Sequence, residues 1–325
     1  MIDAKNLPVL VTIGDPNGVG PEIAVKAAIS LFDANGLRPL LVGDKHIIEP
    51  LAESAGFGVE ARDGRWGGNS KTVDLYDASR MSIFDYDPGI VSAAAGRATI
   101  GYVEDALFLL KQKTGRAIVG CPHSETAVNQ SGRVFSGYPN LLSELLATGP
   151  DSVFLMLVGG GMRIVHATLH EAIGVALDRI TPELIAKAAM AADAALRDLG
   201  IANPRIGIFG INPHAGENGL FGKEDDEIVV PAVKKLNARG IDIIGPEGAD
   251  TMLMRKDIDV FVAMYHDQGH IPIKLMAGRN ASAVSIGGDV LFSSVGHGAA
   301  FDIAGKNIAD PEPLIRAIRL VGGSC

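Results

Sequence analysis

Cysteine is almost absent from this chain of 325 residues, which contains only Cys121 and the final residue, Cys325. So few thiols exclude a disulfide framework or a cysteine-rich zinc site within the chain, and they favour a reducing compartment. No apolar run approaches the roughly 18 residues of a membrane span. The amino terminus lacks the small-residue cleavage pattern of a signal peptide. We therefore expect a cytoplasmic protein that has no membrane partner.

Positive charge is also in short supply, because the formal net charge is -9. An acidic chain is poorly suited to nucleic acid or to an anionic membrane surface. Aromatic residues make up only 5%, whereas 47% of the chain is hydrophobic and there are 40 glycines. This composition predicts an α/β protein with a sizeable core, many tight strand-to-helix turns, and one large or two ordinary domains.

Apolar strand-like runs alternate with helical patterns along the chain. Residues 57–85 read as irregular structure with short edge strands and a loop at Arg65–Asn69. Val153–Val158 and Met162–Leu169 read as a hairpin around three glycines. The predicted buried strands are Leu7–Ile13, Pro39–Gly43, Ala117–Gly120, Arg205–Ile211 and Asp259–Met264. The predicted helices are Ser92–Lys113, Pro182–Leu199, Glu227–Ala238 and Pro313–Val321. A glycine-rich turn, GDPNGVGPE, follows the first strand but matches neither nucleotide-binding fingerprint.

Three histidines, His170, His214 and His266, each come after a separate apolar strand, in what reads as a polar loop. Imidazoles that meet at one edge of a sheet indicate a divalent metal site. Chance placement is the competing explanation, because the chain has eight histidines. Asp250 and Asp267 are candidate oxygen ligands or partners that orient an imidazole. His166 lies inside a strand, which is more typical of a hydrogen-bonded structural residue.

The stretch MYHDQGHIPIKL places an imidazole, a carboxylate and the ammonium of Lys274 close together in sequence. Such a set can hold a metal and move a proton, although a polar strand end with a surface lysine is the simpler interpretation. Farther on, glycines around His297 allow the backbone to approach a flat ligand. The carboxylate of Asp302 can accept hydrogen bonds from both hydroxyls of a ribose, which is the usual basis for a preference for NAD over its 2′-phosphate relative.

Five motifs, taken together and in order, resemble the 4-hydroxythreonine-4-phosphate dehydrogenase family of vitamin B6 biosynthesis. They are GDPNGVGPE, INPHAGE, GPEGADT, MYHDQGHIPIKL and SVGHGAAFDIAGKNIADP. The last also resembles the NAD loop of isopropylmalate and isocitrate dehydrogenases. The resemblance implies the two-domain α/β/α fold of those enzymes, with the active site in the interdomain cleft. We expect residues 1–115 plus 280–325 to form the domain with the NAD loop, and residues 116–279 to form the central domain.

The resemblance also implies roles for individual residues. His170, His214 and His266 match metal ligands, and His170 would reach into the partner subunit of a homodimer. The expected NAD contacts are Gly296, His297, Gly298, Asp302 and Asn307. Lys274 matches a substrate-contacting lysine, and Lys274, Asp267 and Asp250 are the candidate catalytic residues. The expected cofactors are NAD and one divalent ion per site, with Zn, Mg, Mn and Co not distinguished.

Four positions depart from the phosphate-binding pattern of that family, namely Tyr138, Pro139, Ala283 and Phe292. Loss of an arginine at the last position removes a bidentate anion contact. The chain is more similar to the terephthalate dihydrodiol dehydrogenase branch, which implies oxidative decarboxylation of a carboxylated vicinal diol in aromatic catabolism. The alternatives are a dehydrogenase for 4-hydroxythreonine 4-phosphate or a sugar-acid phosphate, and a non-catalytic small-molecule binder on the same fold.

Overall fold

A computed structural model describes residues 7–32, 37–62, 71–278 and 281–323, so the predicted loop at Arg65–Asn69 lies outside the described residues. The chain has an α/β architecture, as predicted. It forms two compact units. The first unit comprises Met1–Tyr138 and Val290–Cys325, and the second comprises Pro139–Asp289.

The first unit is built on a sheet of six parallel strands in the order β3-β4-β2-β1-β5-β12. Its strands are β1 (Val9–Thr12), β2 (Pro39–Gly43), β3 (Gly58–Ala61), β4 (Thr72–Asp77), β5 (Ala117–Gly120) and β12 (Val290–Ser294). β1, β2 and β5 are buried along their whole length. Continuous apolar sequence is what a parallel strand covered on both faces requires.

Helices alternate with these strands, as the composition predicts. They are α1 (Gly20–Phe32), α2 (Lys45–Ser54), α3 (Ala93–Lys111), α4 (Glu125–Gln130) and α11 (Glu312–Val321). α3 begins where the Ser92 hydroxyl accepts a hydrogen bond from the backbone N–H of Ala95 at 3.1 Å. That cap satisfies one of the N–H groups that a helix start leaves without a partner.

The second unit has a mixed sheet in the order β11-β6-β7-β10-β8-β9. Its strands are β6 (Phe154–Gly159), β7 (Met162–His166), β8 (Arg205–Phe209), β9 (Asp242–Glu247), β10 (Val260–Ala263) and β11 (Ser282–Gly287). β6 and β7 form the predicted antiparallel hairpin, which turns at Gly160 and Gly161 with φ of 59° and 78°. β7, β10, β8 and β9 are parallel neighbours, so their carboxyl ends lie at one edge.

Six α-helices lie in the described part of this half of the chain. They are α5 (Tyr138–Leu145), α6 (Ile173–Arg179), α7 (Pro182–Asp198), α8 (Val230–Asn237), α9 (Ala249–Met252) and α10 (His266–Ala277). A core cluster that includes Leu157, Phe209, Phe261 and Ile273 packs α10 against the sheet. No helix in the described ranges combines the length and the hydropathy needed to cross a membrane.

Three expectations about elements and boundaries need correction. β4 is an interior strand between β3 and β2, not part of an irregular region. β5 pairs with β1 in the first unit, and β11 pairs with β6 in the second. These pairings move both predicted domain boundaries, to the junctions 138/139 and 289/290. The segment that starts at His266 is a helix, not a loop, because burial of Ile273 outweighs the helix-breaking Gly269 and Pro272.

Candidate functional site

The carboxyl ends of β7 and β10 hold two of the predicted metal ligands side by side. Pairing continues past the strands, because the N–H of Ala167 donates to the carbonyl of Ala263 at 2.8 Å. The Thr168 hydroxyl donates to the carbonyl of Met264 at 2.8 Å. These bonds fix the loop that carries His170 against the start of α10, where His266 lies. The two imidazole centroids are 5.5 Å apart.

Asp267 orients the His266 ring. The Nδ1 of His266 lies 2.7 Å from a carboxylate oxygen of Asp267. A neutral imidazole donates to a carboxylate from the nitrogen that carries the proton, so the lone pair is on Nε2. Carboxylate partners of this kind fix the tautomer of metal-ligating histidines. Asp267 therefore has the geometry predicted for a residue that supports a ligand.

His170 and His266 open into a cavity of about 590 Å³ in the second unit, which Asp267, Tyr265 and Ile173 also line. Partial burial lowers the pKa of His170, and the neighbouring His266 and the ammonium of Lys274 lower it further. A neutral imidazole is the form that binds a metal. Lys274 is exposed, about 12 Å along the axis of α10 from His266, at 1.5 Å per residue.

His214 is placed apart from this pair. It follows β8 in a short turn, Pro213–Gly216, and its φ of 53° lies in the left-handed region. Its Nδ1 is 3.8 Å from a carboxylate oxygen of Glu217, and its side chain is 69% exposed. Left-handed backbone at a polar residue is strained and is common at functional sites. Asp250 lies near this turn, because a Cβ built on Gly248 would be within 3.4 Å of both residues.

The residues present therefore fit a divalent cation in part. His170 and His266 offer two imidazoles at a strand edge, which is suitable donor chemistry for zinc and similar ions. Across residues 7–32, 37–62, 71–278 and 281–323, however, no three histidine, cysteine or carboxylate side chains come close enough to hold a metal together. The prediction that His214 completes the set stays a prediction.

His166 and His270 form a second histidine pair behind His266. His166 is 2% exposed and His270 is 7% exposed. Burial and then the neighbouring His270 lower the pKa of His166 to about 3. Burial and then His266 lower the pKa of His270 to about 4. His166 has the structural role that its strand position predicted. The role of His270 was missed, because its sequence neighbours give no sign of its contact with His166.

A second cavity, of about 520 Å³, lies at the carboxyl ends of the parallel strands of the first unit. Gly296, His297 and Gly298, three of the predicted NAD contacts, line it together with His123 and Phe301. The glycine-rich turn that follows β1 is joined to this region. The N–H of Asp15 donates to the carbonyl of Pro122 at 2.9 Å, and the N–H of Val19 donates to the carbonyl of Ala299 at 2.9 Å. Ligands of α/β proteins bind at such strand ends.

The other two predicted NAD contacts lie beyond this lining. Asp302 and Asn307 are exposed on the turn that follows. Asn307 has a φ of 57°, and its carbonyl accepts from the ammonium of Lys26 at 3.1 Å. Lys26 also donates to the carbonyl of Ala309 at 3.0 Å and pairs with Glu22 at 2.8 Å. α1 therefore anchors the turn that presents Asp302.

Two of the five predicted substrate residues are in contact. The Tyr138 and Phe292 ring centroids are 4.4 Å apart, and Phe292 is only 1% exposed. Phe292 therefore supports Tyr138 from beneath and exposes almost no surface of its own. Pro139 is the next residue in α5, whereas Ala283 lies on β11 against the core of the second unit.

His123 is a site residue that sequence reasoning missed. Its Nδ1 lies 3.1 Å from the Tyr138 hydroxyl, and its Nε2 is buried with no hydrogen-bond partner among the described residues. Burial lowers the pKa of His123 and raises that of Tyr138. His123 also packs edge-on against Phe135, with centroids 4.6 Å apart. Its position in CPHSET, directly after a buried strand, was the available signal.

Comparisons with known proteins agree with this α/β fold. The chain is 44% identical over 311 residues to the 1,2-dihydroxy-3,5-cyclohexadiene-1,4-dicarboxylate dehydrogenase of a Comamonas species, covering 95% of each chain. It is 39% identical over 324 residues to the D-threonate 4-phosphate dehydrogenase of Cupriavidus necator, covering 96% of each. The crystal structure of a terephthalate 1,2-cis-dihydrodiol dehydrogenase from Burkholderia xenovorans LB400 is 48% identical, with a TM-score of 0.85 over 98% of both chains.

These relatives show that the chain is an enzyme of the dehydrogenase class that acts on a CH–OH group. A family model described as pyridoxal phosphate biosynthetic protein PdxA matches residues 35–321. The chain belongs to the PdxA family, which confirms the resemblance drawn from the sequence motifs.

Proposed function

We propose that this protein catalyses the NAD-dependent and divalent-metal-dependent oxidative decarboxylation of a carboxylated vicinal diol. The substrate we favour is the terephthalate cis-dihydrodiol, which would yield protocatechuate, carbon dioxide and NADH. The observation that carries this choice is the contact between Tyr138 and Phe292 at the predicted substrate position, with ring centroids 4.4 Å apart.

This contact belongs to an aromatic group that also includes His123 and Phe135. None of these four side chains is a cation at neutral pH, because burial lowers the pKa of His123. A phosphate pocket needs charged or amide donors, and this group offers no cationic side chain, whereas aromatic side chains can pack against the carbocycle of a ring substrate. The group therefore supports a ring substrate over a phosphorylated chain.

The reaction begins with a secondary alcohol whose neighbouring carbon bears a carboxylate. NAD when bound accepts the hydride, and a divalent cation supplies Lewis-acid stabilisation of charge on the substrate oxygen. The hydroxyl proton leaves to a base on the protein, which gives a β-keto acid. The bond between the ring carbon and the carboxylate carbon then breaks, and its electron pair forms the enolate double bond that completes the aromatic ring. The phenolate oxygen so formed then takes up a proton. Aromatisation makes this step strongly favourable.

The protein groups for these steps lie on α10 and α9. We propose that Lys274 anchors the substrate carboxylate or donates a proton, since its charge is close enough to lower the pKa of His170. Asp267 holds the tautomer of His266 through its 2.7 Å hydrogen bond. Asp267 and Asp250, the latter beside the His214 turn, are the candidate bases. An exposed carboxylate near a cavity can exchange protons with solvent.

The test follows NADH formation at 340 nm with purified protein, NAD and a divalent metal. Terephthalate cis-dihydrodiol, 4-phosphohydroxythreonine and D-threonate 4-phosphate are assayed in parallel, each with and without EDTA. We expect turnover of the diol alone, abolished by EDTA and restored by added metal. Turnover of a phosphorylated substrate alone would refute the proposed substrate, and turnover that resists EDTA would refute the metal requirement.

Matched histidine variants separate the metal site from general damage to the protein. His170→Ala and His266→Ala should lower diol turnover by at least 100-fold, because each removes a proposed ligand. His46→Gln, in α2 of the first unit, is the control and should retain turnover. Equal loss in all three variants would indicate that the effect comes from the fold.

A phosphorylated hydroxy acid remains the second candidate substrate. The 39% identity to D-threonate 4-phosphate dehydrogenase of Cupriavidus necator supports it. Lys274 could then pair with a substrate phosphate. The same parallel assay decides between the two substrates, because both are offered under one set of conditions.

We also propose that the protein is a homodimer in which His170 is shared across the interface. Apolar side chains are exposed on the two helices beside His170, with Ile173 57% exposed on α6 and Leu275 79% exposed on α10. Large exposed apolar side chains support an interaction surface on these helices. We expect a dimer by sedimentation and a monomer for Leu275→Glu. Met254→Glu, at a residue 76% exposed elsewhere in the second unit, should remain dimeric. A monomeric wild type would refute the dimer.

A further inference from the structure

A buried histidine pair connects the core of the second unit to His266. His166, the last residue of β7, and His270, in α10, face each other with Nε2 and Nδ1 3.0 Å apart. On its other side, Nδ1 of His166 lies 3.2 Å from the carbonyl oxygen of Leu155 in β6. Both nitrogens of His166 are therefore engaged, and the ring cannot turn without breaking one of these bonds.

The Leu155 carbonyl determines where the protons are. A carbonyl oxygen only accepts, so Nδ1 of His166 must carry the hydrogen. In a neutral ring the Nε2 of His166 then carries a lone pair and accepts a hydrogen bond. The Nδ1 of His270 must therefore be the donor, and the carbonyl of His266, 3.3 Å away, can share that hydrogen. His270 consequently has its lone pair on Nε2.

This fixed ring lies flat against His266. The His270 and His266 centroids are 3.7 Å apart, and the ring planes differ by only 13°. Asp267 holds the edge of the His266 ring at Nδ1. The His266 imidazole is thus constrained at one edge by a carboxylate and on one face by another imidazole.

Gly269 makes room for the pair. A Cβ at this position would lie 2.3 Å from Nε2 of His166, closer than any real contact. Only a residue without a side chain lets α10 approach β7 closely enough for His166 and His270 to bond. The glycine of the MYHDQGH motif therefore has a packing reason that is independent of any ligand.

We propose that His166 and His270 are positioning residues that orient the imidazole of His266 through a hydrogen-bonded, tautomerically fixed relay. Its consequence for divalent-metal affinity rests on the proposed function, whereas the relay itself does not. The chain runs from the Leu155 carbonyl through His166 and His270 to the face of His266. Outer partners of metal-ligating histidines typically contribute about 10- to 100-fold to metal affinity.

The first measurement is made on metal-free protein labelled with ¹⁵N at histidine. Two-bond nitrogen–proton correlation spectra distinguish the tautomers, and single-histidine variants assign the signals. We expect both His166 and His270 to carry the proton on Nδ1. A proton on Nε2 of His270 would overturn the proposal, because the relay would then run in the wrong direction.

The second measurement uses variants that separate the hydrogen bond from the stacking. His166→Leu should move the His266 ring signals, and His166→Gln, whose amide oxygen can still accept, should restore them. His270→Phe keeps a flat ring without a donor, and His270→Asn keeps a donor without the ring. Circular dichroism confirms that each variant folds. Unchanged His266 signals in folded His166→Leu would overturn the proposal.

Calorimetric titration with Co²⁺ then tests the consequence. We expect His166→Leu to weaken binding about tenfold or more, His166→Gln to recover most of that loss, and His46→Gln to match wild type. Equal affinity in all variants would overturn the link to the metal. A wild-type protein that binds no Co²⁺ would contradict the proposed function, and the histidine spectra would still decide the relay.

Discussion

Asp15 offers a test of how burial controls stability in the first unit. It lies in the glycine-rich turn after β1 and is 0% exposed. One carboxylate oxygen accepts from the N–H of Asn17 at 3.0 Å, and the other is buried with no partner among the described residues. Burial raises its pKa from 3.8 to about 6, and the hydrogen bond from Asn17 opposes that rise.

The sign of the pH dependence follows from this upward shift. Between pH 3.8 and about 6 the folded protein keeps the proton and the unfolded chain loses it. Stability therefore falls as pH rises through this window and is constant above it. The destabilisation amounts to about 1 kcal/mol at pH 4.5 and about 3 kcal/mol at pH 8.

Asp15→Asn removes the charge and keeps an oxygen for the N–H of Asn17. Its stability relative to wild type should therefore increase by about 2 kcal/mol between pH 4.5 and pH 8. Urea unfolding at both pH values measures this difference directly. Asp44→Asn is the control, because Asp44 accepts hydrogen bonds from the N–H groups of Arg80 and Met81. That variant should be less stable than wild type.

Two results would refute this reasoning. One is a difference between Asp15→Asn and wild type that is the same at pH 4.5 and pH 8, since the carboxyl would then titrate alike in both states. The other is a variant that loses stability relative to wild type as the pH rises. Either result would mean that Asp15 has a charged or hydrogen-bonding partner in solution that stabilises its ionised form.

Three further predictions concern packing, capping and the accessibility of a buried thiol. Gly269→Ala should lower the free energy of unfolding by about 1–3 kcal/mol, because the new methyl group meets His166, whereas Gly174→Ala meets nothing within 4 Å and should not destabilise. Ser92→Ala should cost about 1 kcal/mol in urea unfolding, since it removes the cap of α3, and an unchanged midpoint would contradict that role. Cys121 is buried and its thiol pKa is raised by burial, so a thiol reagent should label it only at the rate of unfolding. Rapid labelling of native protein would contradict this.

Much of the fold could be predicted because local sequence and tertiary environment agree. β1 and β5 are short apolar runs that the structure buries on both faces. α3 and α7 have helical spacing and hydroxyl caps. α10 is different, because its glycine and proline oppose a helix and only contacts with the sheet compensate. Such contacts come from distant residues, so no local pattern reports them.

In the candidate site, too, some features follow from local sequence and others depend on distant contacts. The rule that polar residues at strand ends meet at one edge correctly brought His170 beside His266. It could not give the conformation of the His214 turn, which depends on the buried carboxylate of Asp225. That carboxylate accepts from the N–H groups of Ile211 and Asn212 at 2.7 and 3.0 Å. Sequence proximity also failed to indicate that Phe292 would lie almost fully buried.

The parallel sheet of the first unit has a consequence for synthesis of the chain. β12 pairs with β5, although some 170 residues separate them, as Phe292 is the register partner of Ile118. α11 is also tied to the start of that strand, because Arg116 donates to the carbonyl of Gly322 at 2.8 Å. Such distant pairings form slowly and cannot form before both partners exist. Until β12 has been translated, β5 lacks this neighbour and the 520 Å³ cavity lacks its glycine lining. The nascent first unit is therefore exposed to aggregation until β12 emerges from the ribosome, and chaperone demand should be highest at that stage.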